Sequence, residues 1–123
     1  MKILLVDDSN TMRRIEKNTL EKMGYTDIQE AVDGADAISK LTAGGFELVL
    51  MDWNMPNMTG IEALKVIKAN PATKGVPVIM VTSESEKTRI MEAIQAGAAN
   101  YVVKPFQAET LQEKISAVTK KAA

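Results

Sequence analysis

The sequence contains no cysteine and no histidine. The first absence excludes disulfides, thiolate nucleophiles and cysteine-based metal sites. The second excludes an imidazole base, an imidazole ligand and a phosphohistidine within this chain. Any reactive chemistry must therefore use carboxylates, hydroxyls, lysine or a metal ion that prefers oxygen ligands.

Long apolar runs and an excess of either charge are also missing. No run approaches the roughly 18 residues of a membrane span, and the N-terminus does not resemble a signal peptide, so we expect a cytoplasmic protein with no membrane partner. Fifteen basic and sixteen acidic residues are spread along the chain and give a net charge of −1, which argues against a nucleic-acid partner. With 123 residues, of which 46% are hydrophobic, the chain is predicted to form one compact domain.

Five short apolar segments, rich in β-branched residues, are predicted to be strands. They are ILLV (3–6), TDIQEA (26–31), FELVLM (46–51), VPVIMV (76–81) and NYVV (100–103). Four of them are almost continuously apolar, which is typical of strands buried on both faces. The second is interrupted by Gln29 and Glu30 and is therefore predicted at an edge of the sheet.

Between these segments, apolar residues recur every three or four positions, as on one face of a helix. The predicted buried faces are Met12, Ile15, Thr19 and Met23; Ala35, Ile38 and Leu41; Ile61, Leu64 and Ile67; Ile90, Ala93, Ile94 and Gly97; and Leu111, Ile115 and Val118. Five alternating strand–helix units predict an α/β fold in which helices cover both faces of a parallel sheet.

Polar side chains stand where the predicted strands end, and ligands of parallel sheets bind beyond the carboxyl ends of the strands. Asp7 and Asp8 follow the first strand, and Asp52 follows the third. Three neighbouring carboxylates repel one another unless a cation neutralises them, and oxygen ligands suit Mg²⁺. These acids therefore predict a Mg²⁺ pocket, although Asp8, or more readily Ser9 or Asn10, is also a candidate cap for the first helix.

Thr82 and Lys104 directly follow the fourth and fifth predicted strands and are expected at the same edge. The Lys104 ammonium can neutralise a bound anion, and Thr82 can donate a hydroxyl to it. Carboxylate, Mg²⁺, hydroxyl and lysine are together the groups that phosphoryl transfer to an aspartate requires. Asp52 is the central acid and the predicted nucleophile.

Four segments carry a resemblance to a known family. VDDS (6–9), MDWNMPNMTG (51–60), VTSESEK (81–87) and YVVKPF (101–106) occur in the order and at the separations of a response-regulator receiver domain. The resemblance covers the whole chain and is strongest to the single-domain receivers of chemotaxis. It implies a flavodoxin-like, doubly wound, five-stranded parallel sheet of order 2-1-3-4-5 with five helices, forming one receiver domain over residues 1–123 without an output domain.

The resemblance also implies roles for individual residues. Asp52 would accept the phosphoryl group, while Asp7, Asp8 and the backbone carbonyl of Asn54 would hold Mg²⁺. Lys104 would contact the acyl phosphate, and Thr82 would move toward it after phosphorylation.

Further roles concern the switch and the lifetime of the phosphoryl group. Tyr101 would change rotamer with the state of the site, and Pro105 would follow a cis peptide bond. Asn54 and Glu84 would border the path of the hydrolytic water. The docking face for a partner is predicted to include Lys87, Met91, Gln95, Tyr101 and Lys114.

The resemblance implies that the protein functions as a monomeric signalling switch. It would not be an enzyme, and the only reactions that it would catalyse are its own phosphorylation and dephosphorylation. A partner histidine kinase would supply the phosphoryl group, and the phosphorylated form would bind a target, with the flagellar motor switch expected. A phosphatase is a further expected partner.

Three alternatives remain open. One is a stand-alone phosphorelay receiver. Another is a Mg²⁺-dependent phosphohydrolase with an aspartyl nucleophile, although such enzymes usually carry a second acid two residues later, where this chain has Asn54. The third is an FMN carrier, which the acidic segment DDSN (7–10) disfavours because it repels phosphate.

Overall fold

Five strands alternate with five helices in the computed structural model, which describes residues 1–82, 87–104 and 106–119. The strands are β1 (Lys2–Val6), β2 (Asp27–Ala31), β3 (Leu48–Asp52), β4 (Val78–Thr82) and β5 (Asn100–Val103). The helices are α1 (Asn10–Lys22), α2 (Gly34–Ala43), α3 (Gly60–Ala69), α4 (Lys87–Gln95) and α5 (Ala108–Thr119). The predicted site positions Glu84 and Pro105 lie outside the described residues, as does the side chain of Lys87.

All strands pair in parallel in the order β2-β1-β3-β4-β5, which confirms the predicted fold and strand order. β2 lies at an edge, as its Gln29 and Glu30 indicated. β3 begins at Leu48 rather than at position 46 and ends at Asp52, and β4 likewise ends at Thr82. Asp52 and Thr82 are therefore the last residues of their strands, not residues of the loops that follow.

The sheet separates two apolar layers because successive side chains of a strand point to opposite faces. Leu4, Val49 and Met80 pack with α2, α3 and α4 in one layer. Ile3, Leu50 and Ile79 pack with α1 and α5 in the other. The central strands β3 and β4 are buried throughout, so the polar side chains at their ends are held on a rigid platform.

The predicted buried faces are confirmed for α3 and α5, whose apolar residues enter the two layers. On α1 the predicted face is wrong, because the helix buries Arg13, Glu16 and Leu20 while 52% of Ile15 is exposed. α1 begins only a few residues after β1 ends. The first two turns of α1 therefore lie against the polar residues at the ends of the strands rather than against apolar side chains.

Smaller corrections apply to α2 and α4. α2 buries Ala37 and Leu41 but leaves Ala35 exposed. α4 buries Ala93, whereas 49% of Ile94 is exposed.

Local sequence sets where α1 and α3 begin. Ser9 caps α1 by accepting a hydrogen bond from the Met12 N–H at 3.2 Å, so Asp8 does not fill that role. Thr59 and Glu62 form a reciprocal capping box at the start of α3. In the part of the chain that the structure describes, no helix is both long enough and apolar enough to cross a membrane.

Candidate functional site

The strand ends bring the predicted site residues together at one edge of the sheet. Asp7 directly follows β1, Asp52 and Thr82 end β3 and β4, and Lys104 directly follows β5. The parallel register places Asp52 beside Val81 and Thr82 beside Val103, so the side chains of adjacent strands end at the same level.

Three acids form the centre of this edge. One carboxylate oxygen from each of Asp7, Asp8 and Asp52 lies within 4.8 Å of the other two. Asp7 and Asp52 are buried, whereas Asp8 is exposed and opens the cluster to solvent. Hard oxygen donors at this spacing fit a divalent cation such as Mg²⁺, with water completing its coordination.

Lys104 bridges two of the acids. Its Nζ lies 2.9 Å from Oδ1 of Asp52 and 3.3 Å from Oδ2 of Asp7. Burial by itself would lower the pKa of Lys104. The hydrogen bond to Asp52 and the negative charges of Asp52, Asp7 and Glu16 outweigh the effect of burial, so the pKa of Lys104 is raised. Burial also raises the pKa of Asp52 although Lys104 opposes this effect. The ammonium thus stays charged and is the internal counter-ion of the cluster.

Asp7 is fixed by its neighbours. The Ser9 N–H donates to Oδ1 of Asp7 at 2.9 Å, and the Arg13 guanidinium donates to the Asp7 carbonyl. Arg13 also bonds Asn10 and, at 3.0 Å, the carboxylate of Glu30 on β2. A buried arginine therefore connects the end of β1 to α1 and to the edge strand.

The segment after β3 forms the rim of the site. Trp53 is buried beneath Arg89 of α4, whose Cζ lies 5.2 Å from the centroid of the indole ring. Nη1 of Arg89 also lies 3.4 Å from Oδ1 of the exposed Asn54. Asn54, two residues after Asp52, is thus in contact with α4, while the use of its backbone carbonyl as a ligand stays a prediction.

Thr82 and Tyr101 occupy neighbouring positions on the same face of the sheet. Met80 pairs with Tyr101 and Thr82 pairs with Val103, so both predicted switch residues face the layer that contains Met80. Thr82 is buried, whereas Tyr101 is half-buried beneath the Lys114 ammonium, 4.6 Å from its ring centroid. This adjacency would allow a movement of Thr82 to affect Tyr101.

The predicted docking face is exposed along α4. Met91 is 58% exposed, and it lines a shallow cavity of about 230 Å³ with Ile90, Ile94 and Gln95. Ile94 was predicted on the buried face of α4 and instead adds apolar area to this surface.

Sequence reasoning missed one buried carboxyl group, that of Glu16. Only 2% of this residue is exposed, and its Oε1 has no hydrogen-bond partner among the described residues. The pKa of Glu16 is raised to about 8, chiefly by burial and next by the charge of Asp7. The charge of Lys104 opposes this rise, while Asp52 and a side-chain interaction with Asp7 add smaller increases. Burial and the neighbouring Asp7 charge thus favour the protonated form of Glu16. The spacing of Arg13, Glu16 and Leu20 was the signal available in the sequence.

Comparison with known proteins agrees with the geometry. Residues 3–116 match the family described as the response regulator receiver domain. The chain is 51% identical over 118 residues to the chemotaxis protein CheY of Pseudomonas aeruginosa, which covers 96% of this chain and 95% of that protein. CheY-3 of Vibrio cholerae is also 51% identical over 118 residues, covering 96% of this chain and 91% of that protein.

Solved structures show the same architecture. The chemotaxis protein CheY4 of Vibrio cholerae, in a crystal form grown at low pH, superposes with a TM-score of 0.87 at 36% identity, over 95% of this chain and 97% of that chain. The receiver domain of the Francisella response regulator 1452 superposes with a TM-score of 0.88 at 25% identity, over 99% of this chain and 98% of that one.

Proposed function

We propose that the chain is a signalling switch that is activated by Mg²⁺-dependent phosphorylation of Asp52. The proposal follows from its membership of the response regulator receiver family and from its similarity to chemotaxis proteins. The single observation that carries this proposal is the Lys104 ammonium, which bridges Asp52 and Asp7 inside a cluster of three acids. A receiver needs this combination of nucleophile, cation ligands and fixed positive charge.

In the proposed reaction, an oxygen of the Asp52 carboxylate attacks the phosphorus atom of the donor. The new bond joins this oxygen to phosphorus, while the bond to the leaving group breaks and the leaving group keeps the electron pair. A Mg²⁺ ion held by Asp7, Asp8 and Asp52, with the Asn54 carbonyl, would neutralise negative charge on the phosphoryl oxygens.

Lys104 and Thr82 would act on the other phosphoryl oxygens. The Lys104 ammonium already lies 2.9 Å from Asp52 and needs only a small movement to reach a group attached there. Thr82 ends the adjacent strand and would donate its hydroxyl to the same group.

The donor would be a phosphohistidine of a partner kinase, and it would lie on another protein because this chain has no histidine. We propose that the phosphorylated protein acts as a monomer in the cytoplasm and binds the flagellar motor switch through α4, β5 and α5. Its own chemistry would be limited to gaining and losing the phosphoryl group, and a phosphatase would hasten the loss. Asn54 at the rim would orient the hydrolytic water, together with Glu84.

The test uses a small acyl phosphate in place of the kinase. In the presence of Mg²⁺ the protein should gain one phosphoryl group that is stable to acid and labile to base, detected by intact mass. Asp52→Asn should abolish the gain, whereas Asp27→Asn, an exposed acid at the edge of the sheet, should not. Undiminished labelling of Asp52→Asn would show that the acceptor is elsewhere.

The target is tested separately, because the proposed phosphoacceptor does not identify it. Motor switch protein should be retained by the wild type in the presence of Mg²⁺ and acyl phosphate, but not by Asp52→Asn. Retention that does not depend on phosphorylation would contradict the proposed partner.

A further inference from the structure

A buried arginine on α1 has no part in the proposed reaction. Arg13 is 7% exposed, and its guanidinium donates hydrogen bonds to acceptors from the end of β1, from α1 itself and from β2. These acceptors are the backbone carbonyl of Asp7, the side chain of Asn10 and, at 3.0 Å, the carboxylate of Glu30. A buried charge is tolerated when its donors are paired, and here one of the pairs involves a proposed cation ligand.

The backbone of Asp7 is held from two sides. Its N–H donates to the carbonyl of Ala31 at 3.2 Å, and its own carbonyl accepts from Arg13. Ala31 is the last residue of β2, so the Arg13 guanidinium supplies a donor to β1 at the point where the paired strand ends. Because Arg13 also bonds Glu30 of β2, it fixes the peptide between Asp7 and Asp8 relative to that strand.

The Asp7 carboxylate is oriented by other groups. The Ser9 N–H donates to its Oδ1 at 2.9 Å, and the Lys104 ammonium lies 3.3 Å from its Oδ2. An arginine that bonded these oxygens would compete with a cation for them. In the described contacts, Arg13 instead fixes the main chain of a proposed ligand through its carbonyl, which leaves the carboxylate to the cation pocket.

We infer that Arg13 is a positioning residue of the cation site, which fixes the peptide between Asp7 and Asp8 so that both carboxylates reach one pocket. The inference rests on the proposed function, in which these acids are ligands of Mg²⁺. It makes the metal affinity depend on Glu30, an edge-strand residue that anchors the guanidinium. The influence passes through hydrogen bonds to the main chain of a ligand rather than through contact with the ion.

The test compares Mg²⁺ affinities, read from the fluorescence of Trp53, the only tryptophan and the neighbour of Asp52 in the sequence. Glutamine is shorter than arginine and cannot reach all three acceptors, so Arg13→Gln should weaken Mg²⁺ binding by about 10-fold. Arg14→Gln removes the same charge from the adjacent, exposed position and should keep the affinity within about twofold of the wild type.

The direction of the change separates positioning from electrostatics. Loss of a positive charge near the acids should by itself tighten Mg²⁺ binding, because the cation is then repelled less. Weaker binding by Arg13→Gln than by Arg14→Gln therefore supports positioning. Equal or tighter binding overturns the inference and leaves the proposed function standing, whereas absence of Mg²⁺ binding by the wild type, checked by calorimetry, overturns both.

Stability is measured on the same variants with urea, and each titration uses conditions in which the variant is fully folded. A purely structural role of Arg13 would lower the urea midpoint and leave the Mg²⁺ affinity of the folded protein unchanged, which would overturn the inference.

If Arg13→Gln does not fold, the anchor on β2 decides. The Glu30 side chain is 38% exposed, so its replacement should be tolerated. Glu30→Gln keeps an acceptor for Arg13 and controls for the lost charge, whereas Glu30→Ala removes the acceptor and should bind Mg²⁺ about threefold more weakly than Glu30→Gln. Equal affinities of these two variants would overturn the inference.

Discussion

Gly60 lies against the backbone of Asp52. A Cβ atom placed on Gly60 would be 2.2 Å from the Asp52 carbonyl oxygen and 2.9 Å from Cα of Trp53. The Gly60 N–H also donates to the Trp53 carbonyl at 2.8 Å. The start of α3 is thus packed directly against the end of β3, which fixes the backbone that carries the proposed phosphoacceptor.

Replacing Gly60 with alanine should therefore disturb the site as well as the fold. The contact involves backbone atoms that cannot rotate away, so we expect a loss of about 1 to 3 kcal/mol in the free energy of unfolding, measured with urea. Gly75→Ala is the matched control, because nothing lies within 4 Å of the added Cβ. Equal stability of the two variants would show that α3 shifts without cost.

Lys104→Ala should separate cation binding from phosphorylation. The ammonium occupies oxygens of Asp7 and Asp52, so its removal should leave Mg²⁺ affinity unchanged or tighter. Phosphoryl gain from acyl phosphate should slow by about 100-fold, since a fixed donor to the developing charge is lost. Calorimetry and intact-mass time courses measure the two effects, and Lys114→Ala on α5 serves as the control. A normal rate of phosphoryl gain in Lys104→Ala would remove the lysine from the mechanism.

Arg89→Gln should expose Trp53. The guanidinium covers the indole ring at 5.2 Å, and the shorter side chain of glutamine cannot cover the same area. We expect the emission maximum of Trp53 to shift to longer wavelength and its quenching by acrylamide to increase. Arg14→Gln, an exposed arginine of α1, should leave the spectrum unchanged. An identical spectrum in Arg89→Gln would mean that other groups bury the ring.

Thr82→Ala and Tyr101→Ala should each reduce the effect of phosphorylation on target affinity. The two residues are neighbours on one face of the sheet, and coupling of this kind is typically about 5- to 150-fold in affinity. Binding of a motor switch peptide, with and without phosphodonor, gives the ratio. Tyr25→Ala replaces the other tyrosine, which packs in the opposite layer, and should preserve it. If both variants keep the wild-type ratio of phosphorylated to unphosphorylated target affinity, this switch is disproved even if Asp52 is the acceptor.

The stability of the protein should depend on pH through Glu16. Its pKa rises from 4.5 to about 8 on folding, so between these values the folded state keeps a proton that the unfolded state releases. The wild type should therefore lose stability relative to Glu16→Met as pH rises from about 4.5 to 8, by at most about 5 kcal/mol. Urea unfolding with a metal chelator measures the difference, and Glu21→Gln should show no such trend. A difference that stays constant across this range would mean that Glu16 ionises normally.

The sequence by itself determined the architecture and the composition of the site. Strongly apolar segments and helical periodicity located the elements, and the rule for parallel sheets placed Asp52, Thr82 and Lys104 at one edge. Ser9 was among the candidate caps of the first helix because capping depends on residues only a few positions apart.

Only the tertiary structure decided which face of α1 is buried and what surrounds the acids. Periodicity favoured Ile15, yet Arg13 and Glu16 are buried because α1 lies beside the polar ends of β1 and β2. The position of Arg89 over Trp53 and the exposure of Ile94 likewise depend on how α4 packs. A polar side chain is buried when distant segments supply its partners, and those contacts are set by the packing of the whole fold rather than by neighbours in the sequence.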